Sequence, residues 1–315
     1  MDKIILDPAK PMLNTATQQR TAPGSTFKMA TASAGLMEEV ITPDDLLYCD
    51  GTFDEIDPSP RCWIYPGGHG SLNLAGGIAN SCNLYFYQVG YRLGLDQNTE
   101  DGDEEGEYDS DRGIERLPEH AASLGLDELS GVEIEESDPV IATRDSVRAA
   151  IGQSNNSFTT TQLARYVTDV SNSGLDRPLT LIAQDRSAGK EASERLSLSD
   201  DAWDAIHDGM RRVVNGRPYF SSLYRLDDEG NREYIGAAGK TGTAQQGGGR
   251  PNHALFVGYA PFDEPEISIA ARIPNGYKSD HAARMAGQIV QYYFDRQTLY
   301  DLLHDEQMSG SGEGD

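Results

Sequence analysis

The chain has 315 residues, 37% of them hydrophobic and 24% charged, with a formal net charge of −25. That composition suits one large domain or two lobes around a sizeable core, and the acidic surplus argues against nucleic acid as a partner. The sequence contains no apolar run long enough to span a bilayer and does not open on a signal peptide. If the native protein is membrane-anchored, the anchor is therefore expected outside this chain.

Residues 1–22 carry little periodic signal beyond an early strand expected at Ile4–Leu6. TAPGS followed by the apolar-small run FKMATASAGLMEEV predicts a helix with Ser25 at or near its N-cap, ending near Glu39. Residues 45–68 are rich in Pro, Gly and Asp and are read as a loop. From Leu72 to Leu95 the pattern predicts two helices broken around Asn80–Asn83, the second with an aromatic face. Glu100 to Asp111 holds eight carboxylates in twelve residues. The run lacks Ca²⁺-loop spacing and is read as a solvated acidic loop, not a metal cage. A short helix is expected at Pro118–Leu124, and longer ones over 158–174 and 199–214. YRLDDEGNREYIG has a turn between strand-like flanks and predicts a hairpin. GAAGKTGTAQ, HALFVGYAPF and EISIAARI then read as sequential strands before a helix from His281 to Leu303, and 306–315 reads as a flexible tail.

Helices, then consecutive strands, then a helix predict an α+β fold: an antiparallel sheet flanked by helices, with an adjoining mostly helical lobe. The sheet-and-helix lobe is expected over 1–40 and 150–305, and the helical lobe, including acidic loop 100–111, over 41–149. The three cysteines, Cys49, Cys62 and Cys82, form no CxxC, so the sequence supports neither a zinc nor a redox motif and no metal is expected. Cys49 and Cys62 are candidates to pair in an oxidising compartment.

Three short strings carry chemistry. Ser25-Thr26-Phe27-Lys28 is an SxxK, in which residues three apart on a helix share a face and bring hydroxyl to amine. A serine alcohol needs a base to become a nucleophile, and a lysine serves only if burial or a neighbouring cation depresses its pKa. Ser81-Cys82-Asn83 is an SxN that can relay a proton and orient a lysine. Lys240-Thr241-Gly242 with Thr243 offers a cation and two hydroxyls to a carboxylate. Decoys exist: Ser187–Lys190 is a second SxxK in a polar loop, and Ser154-Asn155-Asn156 a second SxN. KTG occurs once, and two of only six lysines fall in the chosen strings. The ordered set SxxK, SxN, KTG is that of penicillin-interacting serine enzymes. Strict alternation would put Lys240 and Thr241 on opposite faces of a strand, so both serve one site only at a sheet edge or with strong twist.

With these strings the chain resembles the transpeptidase domain of class B, monofunctional penicillin-binding proteins. APGSTFK (22–28), His69-Gly70, SCNLYFYQVG (81–90), IGQS with TTTQLA (151–164), AGKTGTAQ (238–245) and HALFVGYAP (253–261) all look like that family. The resemblance implies one transpeptidase domain over 1–315 with a penicillin-binding, β-lactamase-like fold and no cofactor. It implies that Ser25 attacks the penultimate D-Ala carbonyl of a peptidoglycan stem peptide with Lys28 as base, Ser81 as proton shuttle and Asn83 as orienter. Lys240, Thr241, Gly242, Thr243 and Gln245 would hold the terminal carboxylate end of the substrate. The backbone N–H groups of Ser25 and Thr243 would form the oxyanion hole. Stem peptides and β-lactam antibiotics are the implied ligands, a membrane-embedded glycosyltransferase the implied partner of the full-length protein, and the extracytoplasmic face of the bacterial membrane its place.

Plainer readings stand beside these. Ser25 also reads as a simple N-cap, Lys240 as a strand-edge charge and Cys82 as a small buried thiol. His69 and His253 read as structural, because no G-x-S-x-G elbow exists to pair with them. Tyr85, Phe86, Tyr87 and Tyr91 read as core. Alternatives on the same scaffold are a DD-carboxypeptidase or β-lactamase, which would need a water-activating group not seen beside the motifs, and a non-catalytic β-lactam sensor.

Overall fold

In the computed structural model the described residues are 10–96, 106–182, 195–226, 229, 231–246 and 248–295. The strand expected at Ile4–Leu6, residues 100–105 of the acidic loop, the Ser187–Lys190 decoy, the end of the helix expected to reach Leu303 and the tail lie outside them.

The small residues of KMATASAGLM allow helix α1 (Lys28–Met37) to run through the interior, with every side chain from Lys28 to Gly35 buried. A helix buried all round must lie between other elements. It packs on α2 (Leu74–Ala79), α3 (Asn83–Arg92) and α4 (Ser110–Ala122). Helix α4 starts eight residues before the expected Pro118 and contains that proline, because Asp109 caps it by accepting from Asp111 N. Asn73 caps α2, and the Cys82 thiol caps α3 by accepting from Tyr85 N at 3.4 Å. Two three-residue strands, β1 (Leu47–Cys49) and β2 (Gly70–Leu72), pair antiparallel with Cys49 opposite Gly70. Part of the segment read as loop is therefore strand. After a short turn of helix, α5 (Ser146–Ala149), a Thr159–Gln162 capping box opens α6 (Thr160–Ser171). The buried Arg165 of α6 pairs with Asp176 at 2.6 Å and Glu128 at 2.8 Å.

Ser199 caps α7 (Asp200–Val214), which one turn, α8 (Pro218–Ser221), joins to the hairpin of β3 (Tyr224–Leu226) and β4 (Arg232–Tyr234). The main sheet is antiparallel in the order β5 (Ala238–Ala244), β6 (His253–Ala260), β7 (Ile267–Ile273), with Lys240 opposite Val257. Strand β6 is buried from Ala254 to Ala260, which requires cover on both faces. Helix α6 and the final helix, α9 (Ser279–Asp295), both pack on it. Among the described residues β5 is an edge strand, and its free side meets the turn that precedes α1.

Candidate active site

Ser25 does not cap the helix. Pro23 leads into a 3-10 turn, Gly24–Phe27, and the α-helix starts at Lys28, so Ser25 lies inside the turn and is half-buried. Two glycines press this turn onto β5. Gly24 has φ +53°, and a Cβ there would stand 2.4 Å from the Thr243 carbonyl oxygen. A Cβ on Gly242 would stand 2.7 Å from the Thr26 side chain and 2.9 Å from the Pro23 carbonyl oxygen. Only glycine permits such close approach on both sides, and it brings the backbone of Ser25 beside that of Thr243. Gln153 steadies the contact by donating Nε2 to the Thr243 carbonyl at 3.4 Å.

Lys28 is fully buried, and its Nζ donates to the Ser81 carbonyl at 2.8 Å and to Asn83 Oδ1 at 2.9 Å, with Ser81 Oγ at 3.4 Å. Among the described residues no hydrogen bond joins it to the Ser25 hydroxyl; the SxN turn holds the amine instead. Burial pushes Lys28 down to about 7, against a smaller opposing pull from the Cys82 and Cys62 thiols. Lys240, also fully buried, donates to Ser81 Oγ at 2.9 Å and to the Thr241 carbonyl at 3.0 Å. Burial, and then the neighbouring Lys28, hold it well below the usual lysine range. Ser81 Oγ thus bridges two buried amines, an arrangement that can pass a proton between them. Ser81 reaches this position in a left-handed conformation, φ +50°, uncommon for a non-glycine residue and frequent at functional sites.

The edge position of β5 answers the alternation problem: Lys240 curls back to its neighbour's carbonyl while Thr241 and Thr243 stay half-exposed. Gln245 lies past the strand end, exposed. The second SxN is structural: Ser154 Oγ donates to the Arg144 carbonyl, and the buried Asn156 accepts from Ala142 N. Tyr85, Phe86 and Tyr87 are core. Glu38, an acid near the serine in sequence, is bound to His120 at 2.8 Å and Arg116 at 3.2 Å. Trp63, not singled out from sequence, is 61% exposed and donates Nε1 to the carbonyl of Asn80, next to Ser81. Its signal was only a tryptophan in a polar loop.

The sequence carries no metal motif, yet the fold gathers four candidate ligands that lie far apart along the chain. The β1–β2 register sets Cys49 beside His69, and the cap of α3 brings Cys82 to Cys62. The four ligand atoms lie within 4.8 Å of one another. All three cysteines are free; Cys49 and Cys62 both border His69 Nδ1, at 3.5 and 3.6 Å, and Cys62 Sγ lies 3.9 Å from Cys82 Sγ. Tetrahedral zinc, with bonds of about 2.3 Å to sulfur and 2.0–2.1 Å to nitrogen, sets sulfurs about 3.8 Å apart and sulfur about 3.6 Å from nitrogen. The donor set suits a zinc-class ion ligated through Nδ1, and three of the six ligand pairs stand near its spacing, which makes a Cys₃His set of structural type. Cys62 is lowered and Cys82 raised, first by the hydrogen bond between the two sulfurs.

The chain is 29% identical over 333 residues to the peptidoglycan D,D-transpeptidase MrdA of Haemophilus influenzae, covering 93% of this chain and 47% of the relative. It is 25% identical to the protein of that name from Escherichia coli K12, covering 92% and 48%. The chain therefore spans about half the length of the curated relatives it matches. Among solved structures, Pseudomonas aeruginosa PBP2 in complex with WCK 5153 superposes with a TM-score of 0.73 at 25% identity, over 96% of this chain and 62% of that one. The family model for the penicillin binding protein transpeptidase domain matches residues 3–292, and the chain belongs to that family.

Proposed function

We propose that this chain is the catalytic domain of a peptidoglycan D,D-transpeptidase, with Ser25 as nucleophile. The observation that carries the reading is Ser81 Oγ held between the buried amines of Lys28 and Lys240, beside the turn that presents Ser25. Lys28, uncharged, takes the Ser25 proton as Oγ attacks the penultimate D-Ala carbonyl. The backbone N–H groups of Ser25 and Thr243 receive the oxyanion. Ser81 passes a proton to the departing D-Ala amine, and Asn83 keeps Lys28 aimed. Lys240, Thr241 and Thr243 bind the terminal carboxylate, with Gly242 allowing the strand to approach and Gln245 at the rim. The amine of a second stem peptide then takes the acyl group, restoring Ser25 and closing a cross-link. β-Lactams enter the same path and stay as esters of Ser25.

The division into a sheet-and-helix lobe and a helical lobe is supported by the site itself, to which the first contributes Ser25, Lys28 and Lys240 and the second Ser81 and Asn83. In the full-length protein the domain works at the extracytoplasmic face of the membrane, with a glycosyltransferase as partner. Among the described residues no helix is long and apolar enough to cross a membrane.

Intact mass after benzylpenicillin, followed by peptide mapping, tests the assignment: one adduct is expected, on Ser25. A label on Ser154 or Cys82 would sink it. With a thioester substrate, amine acceptors should outpace water. Rapid catalytic release of ring-opened penicillin would make the protein a β-lactamase instead.

A further inference from the structure

The string IGQS (151–154) takes no part in the acyl transfer described above, yet two of its residues stand behind both donors of the oxyanion hole. Gly152 lies behind the first. Its φ is +71°, and a Cβ there would stand 2.1 Å from the Gly24 carbonyl oxygen and 2.8 Å from its carbon. The Gly24 carbonyl is thus pressed against Gly152, and across a trans peptide bond the Ser25 N–H points the opposite way. Gly24 N donates to the Gly152 carbonyl at 3.0 Å, which locks the two backbones together. Gln153 holds the second donor. Its Nε2 reaches the Thr243 carbonyl at 3.4 Å, and the Thr241 carbonyl two residues earlier receives Lys240 Nζ, so both carbonyls face away from β6. In an extended strand a residue's N–H and C=O project to the same edge. Fixing the Thr243 carbonyl therefore turns the Thr243 N–H to the open side of β5, where Ser25 lies. The mount is stiff: Gly152 N donates to the Ala149 carbonyl at 2.8 Å and Gln153 N to the Arg148 carbonyl at 3.2 Å. The buried Asn156 donates Nδ2 to the carbonyls of Ala149 and Gln153, at 3.2 and 3.1 Å.

We propose that Gln153 is a positioning residue which, backed by Gly152, aligns the N–H groups of Ser25 and Thr243 on the oxyanion that forms during acylation. The two donors belong to different segments, a turn and a strand edge, and they act together only if both are set before charge develops. Gly152 and Gln153 are adjacent on one rigid turn and touch both segments, so they fix one donor relative to the other. The Gln153 bond, longer than the usual figure of about 2.9–3.0 Å, is of the kind that tightens once a site is filled. Deleting one oxyanion donor costs about 10²–10³ in rate, and misplacing a reacting group by an ångström about 100-fold. Removing Gln153's bond leaves both donors in place but slackens Thr243, so the loss should fall at or below the lower of these. The loss belongs to the transition state. Lys240, Thr241 and Thr243 still offer the ground-state carboxylate its contacts.

The oxyanion rests on the transpeptidase reading; the alignment of the two N–H groups does not. Gln153→Met keeps the length of the side chain and removes its donor. Rapid mixing of the full chain with benzylpenicillin separates the non-covalent dissociation constant from the first-order acylation constant. The acylation constant should fall about 10–100-fold while the dissociation constant and the pH midpoint of acylation stay as in the wild type. A peptidyl boronic acid, whose tetrahedral adduct on Ser25 puts an oxygen where the oxyanion forms, should lose affinity by the same factor. Gln153→Glu, which sets a carboxylate against the Thr243 carbonyl, should be slower still at pH 8. Ser154→Ala, whose lost hydroxyl served the Arg144 carbonyl and Asn155 Oδ1, should keep both wild-type constants. Without any ligand, the ¹⁵N amide signals of Ser25 and Thr243 should shift in Gln153→Met. An unchanged acylation constant overturns the proposal, as does a loss that appears only in the dissociation constant, or boronic acid affinity that does not follow the rate. A wild-type chain that takes neither penicillin nor boronic acid would instead overturn the transpeptidase reading, while the two amide signals would still show whether Gln153 aligns them.

Discussion

Lowering the pH from 8 to 5 tests whether Lys28 is the base that activates Ser25. Burial brings the amine down to about 7, and acylation by benzylpenicillin requires it neutral. A single group at that value is about 90% neutral at pH 8, half at pH 7 and about 1% at pH 5. The second-order acylation rate constant should therefore fall about 100-fold from its plateau to pH 5, one decade per unit below 7. Quenched-flow mixing with intact-mass detection measures it, with circular dichroism at each pH to show that the chain stays folded. Lys28→Ala should be at least ~100-fold slower at pH 8 and level across the range. A wild-type rate that is flat from pH 5 to 8, or that drops as pH rises through 7, refutes the base assignment. Stability has its own sign: the folded amine releases its proton near 7 and the unfolded one near 10.5. The cost of burial is complete below 7 and shrinks between 7 and 10.5, by about 1.4 kcal/mol per pH unit.

Three further outcomes follow from particular contacts. Ser25→Ala should abolish the penicillin adduct while leaving the thermal melt unchanged, since it removes one half-buried hydroxyl. Gly24→Ala should cost about 1–3 kcal/mol and slow acylation, because its methyl would meet the Thr243 carbonyl at 2.4 Å in a left-handed backbone; denaturant unfolding and penicillin labelling read both effects. Asp176→Ala should cost about 3–5 kcal/mol in denaturant unfolding, because it strips a 2.6 Å ion-pair partner from the buried Arg165 guanidinium, leaving Glu128 and the Leu129 carbonyl to hold it.

The helices beginning at Thr160 and Asp200 and the three strands from Ala238 to Ile273 were legible because caps, periodicity and turn residues agree locally. The SxxK, SxN and KTG strings were legible because chemistry confines them to rare residues. What escaped depends on contacts between distant segments. Pro23 and Gly24 look like the prelude to an N-cap, and only the close approach of β5 forces a 3-10 turn around Ser25. Lys28 reads as facing Ser25 by helical spacing, yet Ser81 and Asn83 offer it better acceptors. Cys49, Cys62, His69 and Cys82 have no motif spacing, because a hairpin register and a helix cap bring them together. The strand at Leu47–Cys49 was hidden by the Pro, Gly and Asp around it, its three residues gaining stability only through β2.

The two buried amines that share Ser81 have a consequence for what the cleft admits. Among the described residues no carboxylate forms an ion pair with either lysine, and burial makes Lys240 give up its proton more readily than an exposed lysine. A ligand carboxylate arriving beside Thr241 and Thr243 becomes the missing anion and draws the Lys240 pKa upward. Docking of an anionic peptide end is then coupled to capture of a proton from solvent, and the affinity of such ligands should weaken as the medium becomes alkaline. A peptide amide of the same shape, bringing no charge, would leave Lys240 as it was and gain nothing from acidification. Calorimetric titration with a non-reacting D-amino-acid peptide acid, in buffers of different ionisation enthalpy, counts that proton; a count of zero at pH 8 would mean that Lys240 is charged before the ligand arrives.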